Sequence, residues 1–253
     1  MKITFLGTGT SQGIPMIANN DPVCLSDNPR DKRLRSSIMI SWNDIRYIVD
    51  CGPDFRQQML RENIQSINGV LFTHEHADHT AGIDDLRPYT YKMGEVPIYA
   101  QERVIENLKV RFSYIFEIEN RYAGAPKLTE NTIDSTSFML SGVQVTPLAV
   151  MHGNLPITGY RFGNVAYITD LKTMSDQEKK KLENLEVLIV NALRIDAHPT
   201  HLNLEEALAF VNEIKPKRAY FTHISHKLGF HEDVEKILPE NVFLSYDGLQ
   251  ITL

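Results

Sequence analysis

The chain has 253 residues, of which 42% are hydrophobic and 23% are charged, a balance typical of a globular protein that excludes a disordered or fibrous chain. Its formal net charge of −6 provides no overall attraction for nucleic acid, so a nucleic-acid partner is not expected. No segment reaches the roughly 18 to 20 uninterrupted apolar residues that a membrane span requires, so we expect no membrane association either.

Short strand-like runs dominate the first half of the chain. They are KITFLG at the start, SSIMISW from Ser36, IRYIVD from Ile45 and GVLFT ending at Thr73. Between the last two runs, Pro53 stands near the start of PDFRQQMLREN, whose apolar residues recur at helical spacing. The first half therefore predicts strands with a helix packed on a sheet.

The second half predicts a stricter alternation of strands and helices. The middle of the chain contains the strand-like run VPIYA and the helical stretch QERVIENLKVRFSYIF. Three more strand-like runs follow, SGVQVTPLAV, PITGYRFG and NVAYITD. LEVLIVNA then favours a strand, NLEEALAFVNEI a helix capped by Asn203, KRAYFTH a strand, and HEDVEKIL a final helix before two short strands.

No internal repeat, low-complexity tract or Gly/Ser linker interrupts the chain, so we predict one domain over residues 1–253. Strands that follow one another first and alternate with helices later indicate two mixed sheets packed together with helices outside them. This periodicity supports an α/β or α+β class.

The cysteine content and the start of the chain predict a cytoplasmic location. Only Cys24 and Cys51 are present, too few for a disulfide framework, so we expect two free thiols. The opening residues MKITFLGTGTSQG lack the apolar segment of a secretory signal.

Four potential metal ligands follow the run that ends at Thr73, namely His74, His76, Asp78 and His79. Imidazole and carboxylate groups are preferred ligands of zinc, manganese and iron. His74 and His76 share one face of an extended segment, whereas Asp78 and His79 lie past the bend. The two pairs can therefore serve two metals instead of crowding one.

Three further candidate ligands stand where predicted strands end. His152 follows LAV, Asp170 follows VAYIT and His223 follows RAYFT. Taken singly, each is equally well explained as a hydrogen-bonded residue at a strand end. Together with the first four they provide seven donors, about the number that two metal ions require.

The HEHADH motif, with a later His, Asp and His, resembles the metallo-β-lactamase superfamily. GTGTSQGIP near the start, RLRSS at residues 33–37 and GIDDLRP after the motif resemble the branch that contains the phosphoribosyl cyclic phosphate phosphodiesterase of phosphonate breakdown. The resemblance implies an αββα sandwich, an α+β fold of two mixed sheets packed face to face with helices outside.

The resemblance also implies how two divalent ions, Zn²⁺ or Mn²⁺, would be shared among the seven candidates. One ion would be bound by His74, His76 and His152, the other by Asp78, His79 and His223, with Asp170 bridging both. The residue types suit zinc and manganese equally.

The activity implied is hydrolysis of a small cyclic or nucleotide-like phosphodiester by a hydroxide that bridges the two metals. Expulsion of the leaving alkoxide also needs a proton donor, for which His201, just before the helix cap Asn203, is our candidate and His198 the competitor. A capping or exposed His201 is the alternative. Asp78 is the second candidate catalytic residue, as an orienter of the attacking water.

One departure from the resembling branch concerns a structural zinc, which those proteins often bind through a Cys-x-Cys-x-x-Cys run and a later His. The matching positions here are Asn19, Asp21 and Cys24, with His226 downstream. Two of three thiolates are missing, so we expect no structural zinc here.

Two other functions share the metal motif. A tRNA 3′ endonuclease would carry a long tRNA-binding arm between the third His and the bridging Asp, yet His152 and Asp170 are only 18 positions apart. A non-hydrolytic metal-binding carrier usually loses ligands, whereas all seven positions are filled here. β-Lactam or thioester hydrolysis is less favoured by the flanking motifs. We expect a small-molecule substrate and a possible homodimer.

Overall fold

The computed structural model describes residues 1–119 and 121–253 of the chain, which fold as two units. The first unit consists of Met1–Leu6, Ser37–Asp134 and Gly248–Leu253. The second consists of Gly7–Ser36 and Ser135–Asp247. Elements are numbered below in chain order.

A seven-stranded mixed sheet in the order β14-β1-β2-β3-β4-β5-β6 forms the first unit. Its strands are β1 Lys2–Gly7, β2 Ser37–Trp42, β3 Ile45–Val49, β4 Gly69–Leu71, β5 Val96–Ala100, β6 Leu128–Thr132 and β14 Gln250–Thr252. Its helices are α2 Phe55–Arg61, α3 Ala77–Thr80, α4 Arg87–Met93, α5 Glu102–Arg111 and α6 Ser113–Phe116. β3 to β6 run parallel, so their C-terminal ends all lie at the same edge of the sheet.

A second seven-stranded mixed sheet, in the order β13-β12-β11-β10-β9-β8-β7, forms the second unit. Its strands are β7 Phe138–Leu140, β8 Val143–His152, β9 Leu155–Phe162, β10 Val165–Ile168, β11 Val187–Asn191, β12 Arg218–Thr222 and β13 Val242–Leu244. Its helices are α1 Pro22–Leu25, α7 Asp176–Lys179, α8 Leu204–Ile214 and α9 His231–Glu235. Because β8 and β10 are both antiparallel to β9, and β10 to β13 are parallel, β8, β10 and β12 end at the same edge.

Apolar patterning explains why these segments adopt their structures. Every residue of β10 and β11 is buried, as expected for parallel strands covered on both faces, which read as continuous apolar runs. In α8, the buried residues Leu204, Ala207 and Val211 recur at helical spacing and line one face. A capping box between Asn203 and Glu206 starts this helix.

The predicted α+β class with two mixed sheets is confirmed, and most predicted strands match within one or two residues. The structure also differs from the prediction in several elements. The long helix predicted over QERVIENLKVRFSYIF divides at Phe112 into α5 and α6. HEDVEKIL is helical only over His231–Glu235. Strands β6 and β7 and the helices α1, α4 and α7 were not predicted. The single domain over residues 1–253 stays a prediction. None of the described helices is both long and apolar enough to cross a membrane.

Candidate metal centre

The donor turn of the first unit, residues 74–80, gathers all four ligand candidates of the HEHADH motif. His74 Nε2 lies 3.0 Å from His76 Nδ1, and His79 Nε2 lies 3.0 Å from Asp78 Oδ2. Two neighbouring nitrogen ligands of a tetrahedral zinc, each about 2.0–2.1 Å from the metal, lie roughly 3.3 Å apart. The spacing of these donor atoms therefore suits shared coordination.

Asp50, a residue that the sequence did not single out, accepts hydrogen bonds from the donor turn and from Thr73, the residue before it. It follows β3, is 0% exposed and accepts a 2.7 Å hydrogen bond from His79 Nδ1. Thr73 donates to the same carboxylate through its backbone N–H (2.8 Å) and through its hydroxyl (2.9 Å). Burial raises the pKa of Asp50, and the adjacent His79 opposes that shift. Asp50 therefore fixes the tautomer of His79, leaving its Nε2 to face a ligand.

The end of the strand-like run IRYIVD was the available signal for Asp50. Like Asp170, this aspartate closes an apolar run, but it stands alone without neighbouring ligand-type residues. Its partner Thr73 also accepts a 2.9 Å hydrogen bond from His74 Nδ1, so the hydroxyl links Asp50 to a second imidazole.

The second unit brings together the three candidates that are distant in sequence. His152 ends β8, Asp170 lies just beyond β10, and His223 follows β12, at the shared edge of the sheet. His223 Nε2 lies 3.2 Å from Asp170 Oδ1. Single donor atoms of His152, Asp170 and His201 all lie within 4.8 Å of one another.

Hydrogen bonds also orient the imidazoles of this second cluster. His152 Nδ1 donates to the carbonyl of Thr200 at 2.9 Å, which makes Nε2 the ring nitrogen that carries the lone pair. The other oxygen of Asp170, Oδ2, accepts a 2.6 Å hydrogen bond from the hydroxyl of Thr169. Hydrogen bonds within the protein therefore fix the orientations of His152 and Asp170.

His201 lies in this cluster, and of the two proton-donor candidates it is the one that contacts Asp170. Its Nε2 is 2.9 Å from Asp170 Oδ1, and its Nδ1 is 3.1 Å from His198 Nδ1. His201 is 8% exposed, and burial lowers its pKa to about 4 although the hydrogen bond to Asp170 opposes the shift. Its ring is therefore neutral at pH 7. Its catalytic role stays a prediction.

Three residues of the two clusters adopt a backbone conformation that favours glycine. Asp50, Asp170 and His223 have φ values of 67°, 56° and 55°. Non-glycine residues with positive φ are uncommon and concentrate at functional sites, where surrounding structure enforces them. Each of these three follows a strand, where the left-handed turn redirects the chain.

Both clusters fit divalent metal ions by the chemistry of their donors. Imidazole nitrogens and carboxylate oxygens are ligands that zinc and manganese accept. Metal-binding histidines usually donate their second N–H to a carboxylate or a carbonyl, as His79 does to Asp50 and His152 does to Thr200.

The four positions that match the structural zinc site of the resembling branch are Asn19, Asp21, Cys24 and His226. Asn19 Nδ2 lies 3.2 Å from His226 Nε2. Asp21 accepts the N–H of Val23 at 2.9 Å and caps α1, and Cys24 is buried in the hydrophobic core.

Comparison with known proteins identifies the family. Residues 45–224 match the model of the beta-lactamase superfamily domain. The chain therefore belongs to the metallo-β-lactamase superfamily. A solved structure described as a new diphosphatase from the PhnP family is 38% identical, with a TM-score of 0.93, and covers 100% of this chain and 97% of that chain. This match confirms the resemblance to the phosphonate-related branch.

Two curated relatives carry other names. An octanoyltransferase of Porphyromonas gingivalis is 38% identical over 254 residues, which are 99% of this chain and 51% of that protein. The chain thus spans about half the length of this relative. A ribonuclease Z of Methanococcus maripaludis is 25% identical over 100% of this chain and 68% of its own length.

Proposed function

We propose that this protein is a hydrolase that cleaves a small cyclic or nucleotide-like phosphodiester with the help of two divalent metal ions, Zn²⁺ or Mn²⁺. The observation that carries the proposal is the convergence of His152, Asp170 and His223 at one sheet edge in the second unit. They would complement the four donors of the donor turn. Seven donors of the types that two ions require are thereby available.

The proposed ligand sets follow the superfamily resemblance. His74, His76 and His152 would hold one ion, Asp78, His79 and His223 the other, and Asp170 both. When bound, divalent ions lower the pKa of coordinated water and offset the negative charge of a phosphate.

The protein itself must supply a proton to the leaving oxygen. We assign this step to His201 Nε2, which lies beside Asp170. Because its ring is neutral at pH 7, His201 must receive a proton before it can give one. His198, half-buried and 3.1 Å from His201 Nδ1, is placed to pass that proton from solvent.

Hydrolysis of bis(p-nitrophenyl) phosphate tests the proposal. We expect activity in the metal-loaded protein, its loss on chelation, its return with added zinc or manganese, and a drop of about 100-fold or more in His76→Ala. Lys109→Ala is the matched control and should keep the parent rate, because Lys109 pairs with Glu106 of α5 and with Glu130 of β6. A metal-loaded protein without activity above buffer would reject the proposal.

A diphosphate is the second candidate substrate, favoured by the 38% identical solved relative described as a diphosphatase. The same charge neutralisation would serve the cleavage of a phosphoanhydride. Phosphorus NMR on a nucleoside diphosphate and a cyclic nucleoside monophosphate distinguishes the two: the faster substrate identifies the bond that the site prefers.

A ribonuclease Z activity is disfavoured by the local fold. The residues between His152 and Asp170 are largely occupied by β9 and β10, which leaves no space for a long arm in this stretch. We propose a small-molecule substrate and no nucleic-acid partner. Tight binding of tRNA at low salt would contradict this.

A non-hydrolytic carrier and an acyltransferase are the remaining alternatives. Two metals per chain by emission spectroscopy would support the enzyme, whereas zero or one would favour the carrier. Acyl transfer through a thioester is not supported, because both cysteines are buried and burial raises the pKa of Cys51 well above its usual value. A cytoplasmic homodimer stays our prediction, which sedimentation and fractionation can check.

A further inference from the structure

The back of the donor turn is attached to helix α5 through Glu75, the residue between the ligand candidates His74 and His76. Glu75 Oε1 forms an ion pair with Arg103 Nη1. The other carboxylate oxygen, Oε2, is buried without a hydrogen-bond partner. The Arg103 contact therefore compensates a largely desolvated charge, and its removal would destabilise this arrangement.

A second arginine holds the backbone of the same turn. Arg111, two helical turns after Arg103, donates through Nη1 to the carbonyl of Glu75 at 2.6 Å and to the hydroxyl of Thr80 at 3.0 Å. Thr80 is buried, and its hydroxyl donates to the carbonyl of His76 at 2.8 Å. One guanidinium nitrogen thus connects the start and the end of the turn.

We propose that Arg103 and Arg111 are positioning residues that set the metal affinity of the donor turn without touching the metal. Because the two arginines hold Glu75 and Thr80, they fix the peptide segment that carries His74, His76 and His79. A turn held in this way loses less conformational freedom when a metal binds. The inference rests on the metal-binding role proposed for this turn.

Competition with a chromogenic chelator, with zinc alone as the probe, tests the inference on the full chain. Arg103→Ala and Arg111→Ala should each weaken zinc binding about 10- to 100-fold, the range found when residues that orient metal ligands are replaced. Arg111→Lys should recover part of the loss, because the ammonium can still donate to one of the two acceptors. Lys109→Ala, on the same helix but paired with Glu106 and Glu130, should bind zinc like the parent.

The activity readout separates positioning from general destabilisation. If the arginines act through metal affinity, excess zinc or manganese should restore kcat of both alanine variants toward the parent value. Unchanged zinc affinity in folded alanine variants, or an equal loss in Lys109→Ala, would overturn the inference. If an alanine variant does not fold, Arg103→Lys and Arg111→Lys take its place in the same comparison.

The outcomes also distinguish this inference from the proposed function. A parent that binds zinc but does not hydrolyse phosphodiesters rejects the function and leaves the affinity comparison intact. A parent that binds neither zinc nor manganese rejects both.

Discussion

The Nδ1 atom of His79 lies 2.7 Å from Oδ2 of Asp50, and neither side chain is exposed to solvent. The buried carboxylate receives this N–H together with two donors from Thr73. Asp50 thereby connects the end of β3 to the donor turn. A residue with no direct role as a ligand candidate thus controls the orientation of one.

Asp50→Asn should weaken zinc binding about 10- to 100-fold, because the amide removes the negative charge that favours donation by His79 Nδ1. Asp50→Ala should in addition lower the free energy of unfolding by about 1–3 kcal/mol for each buried donor left without an acceptor. Chelator competition and urea unfolding measure the two effects. Asp44→Asn, in the exposed turn between β2 and β3, is the control, and an equal effect there would contradict the prediction.

Acid should destabilise the second unit through His231. This residue is 2% exposed, its Nδ1 accepts a 3.0 Å hydrogen bond from Arg33, and burial with the nearby charges of Arg33 and Arg30 lowers its pKa to about 4 from 6.5. The folded state therefore binds fewer protons than the unfolded state between these values. The contribution, on the order of 2 kcal/mol, is present above pH 6.5 and is lost as the pH falls toward 4.

His231→Gln provides the comparison, because the amide can accept from Arg33 without titrating. Urea unfolding of parent and variant at several pH values should show a shallower loss of stability in the variant between pH 6.5 and 4. Parallel curves would exclude His231 as the source of the acid sensitivity.

Asn203 should contribute to stability as the cap of α8. Its side-chain oxygen accepts the N–H of Glu206 at 2.9 Å, and its amide donates to the carbonyl of Ile195 at 2.9 Å. Asn203→Ala should lower the free energy of unfolding by about 1–2 kcal/mol, and Asn203→Asp by less, since aspartate keeps the cap. Ser175→Ala, at the cap of the short exposed α7, should have a smaller effect in the same assay.

Metal removal should lower the melting temperature of the parent. At free zinc 100 times above the dissociation constant, binding to the folded state alone adds about 2.7 kcal/mol. His223→Asn should remove much of this gain, because asparagine tolerates the left-handed backbone but lacks the imidazole. Melting with and without chelator checks this prediction, and a full zinc response in the variant would argue against His223 as a ligand.

The donor candidates could be located from the sequence because each follows an apolar run, which marks a strand end. His152, Asp170 and His223 could be recognised as donors at strand ends, but their assignment to particular metals came only from the superfamily resemblance, since the parallel alignment of β10 and β12 is a long-range property. Asp50 carries the same local pattern but acts by supporting His79, which no spacing rule reveals.

Three other features that the sequence did not predict have identifiable physical causes. The break between α5 and α6 at Phe112 has no glycine or proline to mark it. β6 is mostly exposed and lies at the sheet edge, so its sequence lacks the apolar alternation of a half-buried strand. The contacts of Arg103 and Arg111 with the donor turn depend on how α5 packs, which is not encoded locally.

The positive φ angles of Asp50, Asp170 and His223 restrict which relatives of this protein can exist. Asn, Asp and Gly adopt this conformation at low cost, whereas β-branched residues do not. A gene copy released from selection for catalysis can therefore exchange these residues for asparagine or glycine and still fold. Inactive descendants should accumulate such replacements at these three positions first. Asparagine or glycine at these positions in a related sequence would therefore indicate a protein that keeps the fold but has lost the activity.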